Sequence, residues 1–254
     1  MLIASASIRH EGSTKFGADK KWGSFPAASI AWEMAKAPFL SDYAQTIQSL
    51  KPRISYGVTG RSDFDAYKSL ATYSANGTYF IDGQWVTGYR PSNNANPELG
   101  WEKLSSANYG IDFMFFNRIY GSIEYFDRRS QDRLYNYTAP QPPYVYPSIL
   151  VNVGTTKNTG IELSLTADAV VNRPVTWTTG INYAYGTTKL TKLSNDIYQA
   201  SYLDLYPKPG VGTSEYFFRV EEGGRIGQCY GHDYAGVGAN HNMHVCTAQC
   251  KTAV

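Results

Sequence analysis

Cysteine is missing from the first nine-tenths of the sequence: Cys229, Cys246 and Cys250 are its only three in 254 residues. An odd number, confined to one end, excludes a disulfide framework and leaves a body suited to the bacterial envelope. No apolar run approaches the roughly 18 residues of a transmembrane helix. No basic region followed by an apolar one opens the chain, so Met1 is not expected to begin a secretory signal. Charge is scarce and balanced, at 17% charged residues and a net +2, which excludes a dedicated nucleic-acid binder. The motifs G-x-S-x-G, H-E-x-x-H and G-x-x-x-x-G-K-[ST] are absent too, and with them the common hydrolase, zinc-protease and P-loop signatures.

What is present is aromatic surface: 15% of residues, with 21 tyrosines. A disordered chain lacks such content. The mean hydropathy of -0.36 does not exclude a membrane β-barrel, whose alternating strands average out in any window.

Alternation is the dominant pattern, and with β-branched and aromatic residues it reads as strands. Ala107, Tyr109, Ile111, Phe113 and Phe115 share one face, against Ser106, Asn108, Gly110 and Asp112 on the other. Ile119 to Tyr125, Gly160 to Thr166 and Trp177 to Tyr185 repeat it, as do Ala28 to Met34 and Arg53 to Val58 earlier. Asp112, Glu124 and Glu162 fall on the polar face, where either solvent or a wet lumen would hydrate them. The eight steps from Trp177 to Tyr185 make about 26 Å of strand. Tilted by about 40°, that spans roughly 20 Å of the about 25 Å apolar band of an outer-membrane barrel.

The connections alternate in length. The link at Asn117 is a tight hairpin and the one at Val170 to Pro174 is short, whereas 61–97, 134–150 and 194–215 are long and polar. In an up-and-down barrel this puts short turns at one rim and long loops at the other, as in outer-membrane proteins.

Five strings add a resemblance. Ser7-Ile8-Arg9-His10-Glu11-Gly12-Ser13-Thr14-Lys15-Phe16-Gly17, with Lys21-Trp22-Gly23-Ser24-Phe25-Pro26, resembles a hairpin of the SusC/RagA family of TonB-linked outer-membrane transporters. Leu50 to Gly60, Asn96-Pro97-Glu98-Leu99-Gly100-Trp101-Glu102-Lys103, Asn152-Val153-Gly154 with Asn158 to Leu163, and Gly227 to Val237 are similar to later family segments, in order. The resemblance implies an all-β fold of antiparallel up-and-down strands, part of a large transmembrane barrel that is incomplete in this chain. Seven strands are counted, roughly a third of the 22-stranded plugged class.

It also implies a place in the outer membrane, contact with its lipids, and uptake of large nutrients such as glycans or peptides. A SusD-like surface lipoprotein and the TonB complex would serve the full-length parent; the piece alone is not expected to transport. Residues 1–237 are assigned to the partial barrel and 238–254 to an atypical tail. The tail's His241, His244, Cys246 and Cys250 are too closely spaced for a usual zinc finger, and neither a metal, a cofactor nor a catalytic residue is assigned.

Tyr67, Tyr73, Tyr79, Phe80, Trp85 and Tyr89 stand among Ser, Asn and Gly in the longest loop. Such faces suit stacking on a sugar-like ligand, with Tyr79, Trp85 and Tyr89 as candidate substrate-binding residues; the other reading is that they pack the loop against itself. Asp82-Gly83-Gln84 reads as a turn holding Trp85 near a tip. The competing architecture is a soluble carbohydrate-binding or glycoside-hydrolysing β-sandwich, for which Asp63 with Asp65 or Glu221 with Glu222 would be the nearest carboxylate pairs.

Overall fold

The alternating segments form one antiparallel meander. The structure, a computed structural model, describes residues 1–171, 174–194, 200–207, 216–228, 230–237 and 243–249. Its strands are β1 (Leu2–Gly12), β2 (Trp22–Trp32), β3 (Ile47–Arg61), β4 (Tyr73–Ile81), β5 (Gln84–Pro91), β6 (Glu102–Phe115), β7 (Ile119–Gln131), β8 (Leu134–Thr138), β9 (Ser148–Asn152), β10 (Thr155–Val170), β11 (Trp177–Lys192), β12 (Tyr202–Pro207), β13 (Tyr216–Glu221), β14 (Tyr230–Val237) and β15 (Met243–Gln249). Seven of them make a single sheet in the order β1-β2-β3-β6-β7-β10-β11. Each long connection at one rim carries its own hairpin: β4–β5, β8–β9 and β12–β13. The backbone of β15 pairs with β14. His241 and Cys250 lie outside the described residues, as do the side chains of His244 and Cys246.

The opposite rim is tighter but not uniformly so. Between β6 and β7 the chain turns through Phe116 and Asn117, both at positive φ, and Arg118 N–H donates to the Phe115 carbonyl at 3.1 Å. That is the primed geometry matching the twist of a hairpin. Residues 33–46 depart from the expected pattern. β2 ends at Trp32, and Met34 falls in the first of two 3-10 turns (Met34–Lys36 and Pro38–Tyr43). Pro38 cannot donate to a ladder and starts the second turn.

Burial is concentrated at the long-loop rim. Phe16, Phe25 and Trp101 form one cluster, Ala139, Ile149, Val151 and Val153 a second, and Leu190, Leu193 and Val220 a third. The broad apolar face of the sheet stays bare: Ile54, Tyr109, Ile123, Ile161 and Ile181 are all exposed. No second sheet packs on it among the described residues, so this is not the sandwich of the competing expectation. A single sheet with an uncovered apolar face is stable only where something other than water meets that face.

Candidate functional site

The two faces of the sheet have separate chemistry. Outward, cross-strand registers bring Ile54, Tyr109, Tyr125, Ile161 and Tyr185 into one row. The rings of Tyr109 and Tyr125 are 6.2 Å apart. Near the short-turn rim stand Trp32, packed edge-on with Phe39, and Trp177. Two levels of aromatic residues flanking an aliphatic band match the girdles of a membrane barrel.

Inward, Arg53 links two strands of carboxylates, with Nε donating to Asp112 at 3.2 Å and Nη2 to Glu124 at 2.7 Å. Lys51 adds a 2.9 Å ion pair to Asp112. Charged groups paired on this face, across from lipid-like residues on the other, are the arrangement of a wet lumen. Large aromatic rings also cover glycines of the sheet. Phe25 lies over Gly23 and Gly60, and Phe126 over Gly160 and Gly186. A Cβ at Gly60 or Gly160 would overlap the ring above it, so the family-like glycines are needed for close approach.

Above the lumen, asparagine amides stitch the two long loops together. The Asn94 carbonyl oxygen accepts from Val145 and Tyr146 N–H, while its amide donates to the Tyr146 and Ser148 carbonyls. Asn96, buried, donates to Leu150 O at 2.8 Å. Asn152 exchanges two bonds with Gly100 and donates a third to Asp132 O. Neutral amides suit this role because each both donates and accepts. Asn96 and Asn152 stand in the resembling strings, but alternation gave neither a partner; the Asn-rich run Asn93 to Asn96 was the available signal for Asn94.

The candidate ligand residues lie on the hairpin β4–β5. Asp82 and Gly83, both at positive φ, form its tip as the turn reading expects. Phe80 pairs with Trp85, their ring centroids 5.3 Å apart. Trp85 and Tyr89, four residues apart on one strand, share a face, whereas Tyr79 pairs with Val86 and lies on the other. The structure therefore brings Trp85 and Tyr89 together with Phe80, and not with Tyr79. Trp85, Tyr89 and Tyr79 are 72%, 71% and 53% exposed, while the Tyr79 ring lies against Gly88 and the Trp85 ring against Phe80.

A groove of about 940 Å³ separates this loop from the next and is lined by Lys15, Asp63, Asp65, Lys68, Tyr135 and Asn136. Arg61 donates to Asp63 at 2.8 Å and holds its carboxyl below the ordinary aspartate range. A general acid requires the opposite shift, so Asp63 is not the acid of a hydrolytic pair with Asp65.

Sheet, girdles, lumen-side ion pairs and unequal rims define an arc of an outer-membrane-type β-barrel. A family model described as "TonB dependent receptor-like, beta-barrel" matches residues 1–242. TonB-dependent receptor P39 of Formosa agariphila is 33% identical over 236 residues, covering 92% of this chain and 21% of that protein. TonB-dependent receptor SusC of Bacteroides thetaiotaomicron is 31% identical over 194 residues, covering 74% of the chain and 19% of SusC. Among solved structures, the RagAB peptide importer in its closed-closed state superposes with a TM-score of 0.75 at 25% identity, over 97% of this chain and 27% of that one. The chain belongs to the TonB-dependent receptor β-barrel family and is homologous to SusC and RagA-like transporters. It spans about a fifth of the length of the curated relatives it matches.

Proposed function

We propose that this chain is part of the wall and outer loops of an outer-membrane transporter importing large, amphipathic nutrients such as glycans or peptides. The observation carrying the reading is the asymmetry of the sheet: a bare apolar face, a paired polar face, and hairpin-bearing loops at one rim only. With the tight Asn117 rim in the periplasm, the β4–β5 hairpin faces the medium and meets substrate. Homology to SusC and likeness to the RagAB importer support a SusD-like lipoprotein over these loops and energy supplied through TonB. Residues 1–237 supply barrel and loops, with 238–254 as an atypical tail. The role is import rather than catalysis.

The test is topology in the complete barrel that carries these strands. An epitope inserted beside Ser92 is expected to be labelled on intact cells, and one at Asn117 only after permeabilisation. The reverse labelling overturns the orientation, and equal labelling of both sites overturns the membrane reading.

A further inference from the structure

The outward face has a second feature at its upper end. Cross-strand register places Arg129 of β7 opposite Lys157 of β10, and Lys157 opposite Lys189 of β11. Lys189 in turn bridges to Arg225, in the segment that covers the upper edge of β11. Ile226 N–H donates to Thr188 O and Leu190 N–H to Gly224 O, which fixes that segment in place. Four cations thus stand side by side in one row, on the same face as Tyr125, Ile161 and Tyr185. Neighbouring strands lie about 4.8 Å apart, so the row is about 14 Å wide.

Among the described residues a single carboxylate pairs with them. Asp127, one step below, accepts from Arg129 Nε at 3.3 Å and pairs with Lys157 Nζ at 3.2 Å. Lys189 and Arg225, both exposed, have no ion-pair partner among the described residues. Like charges directly opposite one another destabilise a sheet. A row of four, with net charge of about +3 after Asp127, is an arrangement that an external anion would relieve.

Its height indicates which anion. Arg129 is four residues above Tyr125, about 13 Å along the strand and roughly 10 Å in height at a tilt of about 40°. The tyrosine row marks the boundary of the hydrocarbon, so the cations stand at the level of the headgroups, and flexible Lys and Arg stems reach down toward it. We propose that Arg129, Lys157, Lys189 and Arg225 form a docking row for the phosphate of an anionic outer-leaflet lipid. The row lies outside the lumen and apart from the substrate loops. The assignment rests on the membrane reading above and on its orientation.

The experiment uses the complete barrel in two kinds of nanodisc, one of phosphatidylcholine alone and one containing phosphatidylglycerol. Lipid retained after detergent extraction is counted by native mass spectrometry. Wild-type barrel should retain phosphatidylglycerol, and Lys189→Gln with Arg225→Gln should reduce it at least about fivefold. Arg128→Gln removes a cation from the lumen face, beside Arg129 in sequence, and should leave retention unchanged.

Insertion is scored separately by heat-dependent gel mobility. Barrels that insert normally but lose no phosphatidylglycerol in the double variant overturn the docking row and leave the membrane reading standing. Equal loss in Arg128→Gln overturns it as well, by assigning retention to net charge. Full displacement of the retained phosphatidylglycerol by added inorganic phosphate would make this a free-anion site and sink the assignment. Failure to insert in either nanodisc overturns both readings.

Discussion

Asn152 grips Gly100 from both sides, its Oδ1 accepting from Gly100 N–H at 2.7 Å and its Nδ2 donating to the Gly100 carbonyl at 2.8 Å. One side chain thereby imitates a strand partner at the point where the first long loop re-enters the sheet. A third bond, to Asp132 O at 2.9 Å, ties in the start of the second loop. The two long loops are thus anchored to each other as well as to their own strands.

Asn152→Asp keeps the acceptor and loses both donors. At about 1 kcal/mol for each neutral hydrogen bond, loop anchoring should weaken by roughly 2 kcal/mol while the seven-stranded sheet persists. Limited proteolysis of the complete barrel should nick 62–101 and 132–154 at least several-fold faster, with heat-dependent gel mobility unchanged. Unchanged nicking would show that the two loops are held by something other than this amide.

Gly60 and Phe25 make a second coupled pair. Gly60→Ala forces the ring off its seat, and overpacking of this kind costs about 1–3 kcal/mol. In a Phe25→Leu background the same substitution should cost less than half as much, because the planar obstacle is gone. A double-mutant cycle on unfolding of the complete barrel measures the difference. Additive costs would mean that Gly60 is needed for its backbone and not for the ring.

The sheet was legible because a strand declares itself residue by residue: Ala107 to Phe113 and Gly121 to Tyr125 alternate without a break. Hairpins inside the long loops were not, since Tyr73–Ile81 has apolar residues on both faces and alternation fails there. The 3-10 turns at 34–43 were hidden because Met34 continues the phase of β2 by chance. At the candidate site, the Asp82–Gly83 tip could be read from its turn chemistry, but the bulge between Ala75 and Thr78 could not. Nor could the separation of Tyr79 from Trp85, which depends on strand phase in a segment with no sequence period. The asparagine stitches join residues about 50 positions apart, a relation that no local pattern encodes.

That separation gives the ligand reading an internal control. Trp85→Ala removes an exposed ring from the Phe80–Trp85–Tyr89 face, and Tyr79→Ala removes one from the other. A stacking contact contributes about 0.5–1.5 kcal/mol, so Trp85→Ala should weaken substrate capture by the complete transporter roughly 2- to 12-fold. Tyr79→Ala should change it less than twofold if capture belongs to that face. Equal effects would make the hairpin a packing unit, and no effect of Trp85→Ala would remove it from the site.

The last prediction concerns the 254-residue chain by itself. Its sheet is open: among the described residues β1 has no partner beyond β2, and β11 is covered only at its upper end, by residues 224–226. In hydrocarbon every uncovered backbone group costs several kcal/mol, which is why only closed barrels span. In water the unpaired edges and the exposed Ile54, Tyr109, Ile123 and Ile181 invite association, and the three small clusters at one rim offer little to oppose it. Expressed alone, the chain should be recovered as aggregate or proteolytic fragments, and a partner barrel segment supplied in trans should be required for solubility in detergent. A monodisperse monomer by light scattering, with cooperative unfolding in aqueous buffer, would mean that the apolar face is covered in some other way and would remove the lipid from this account.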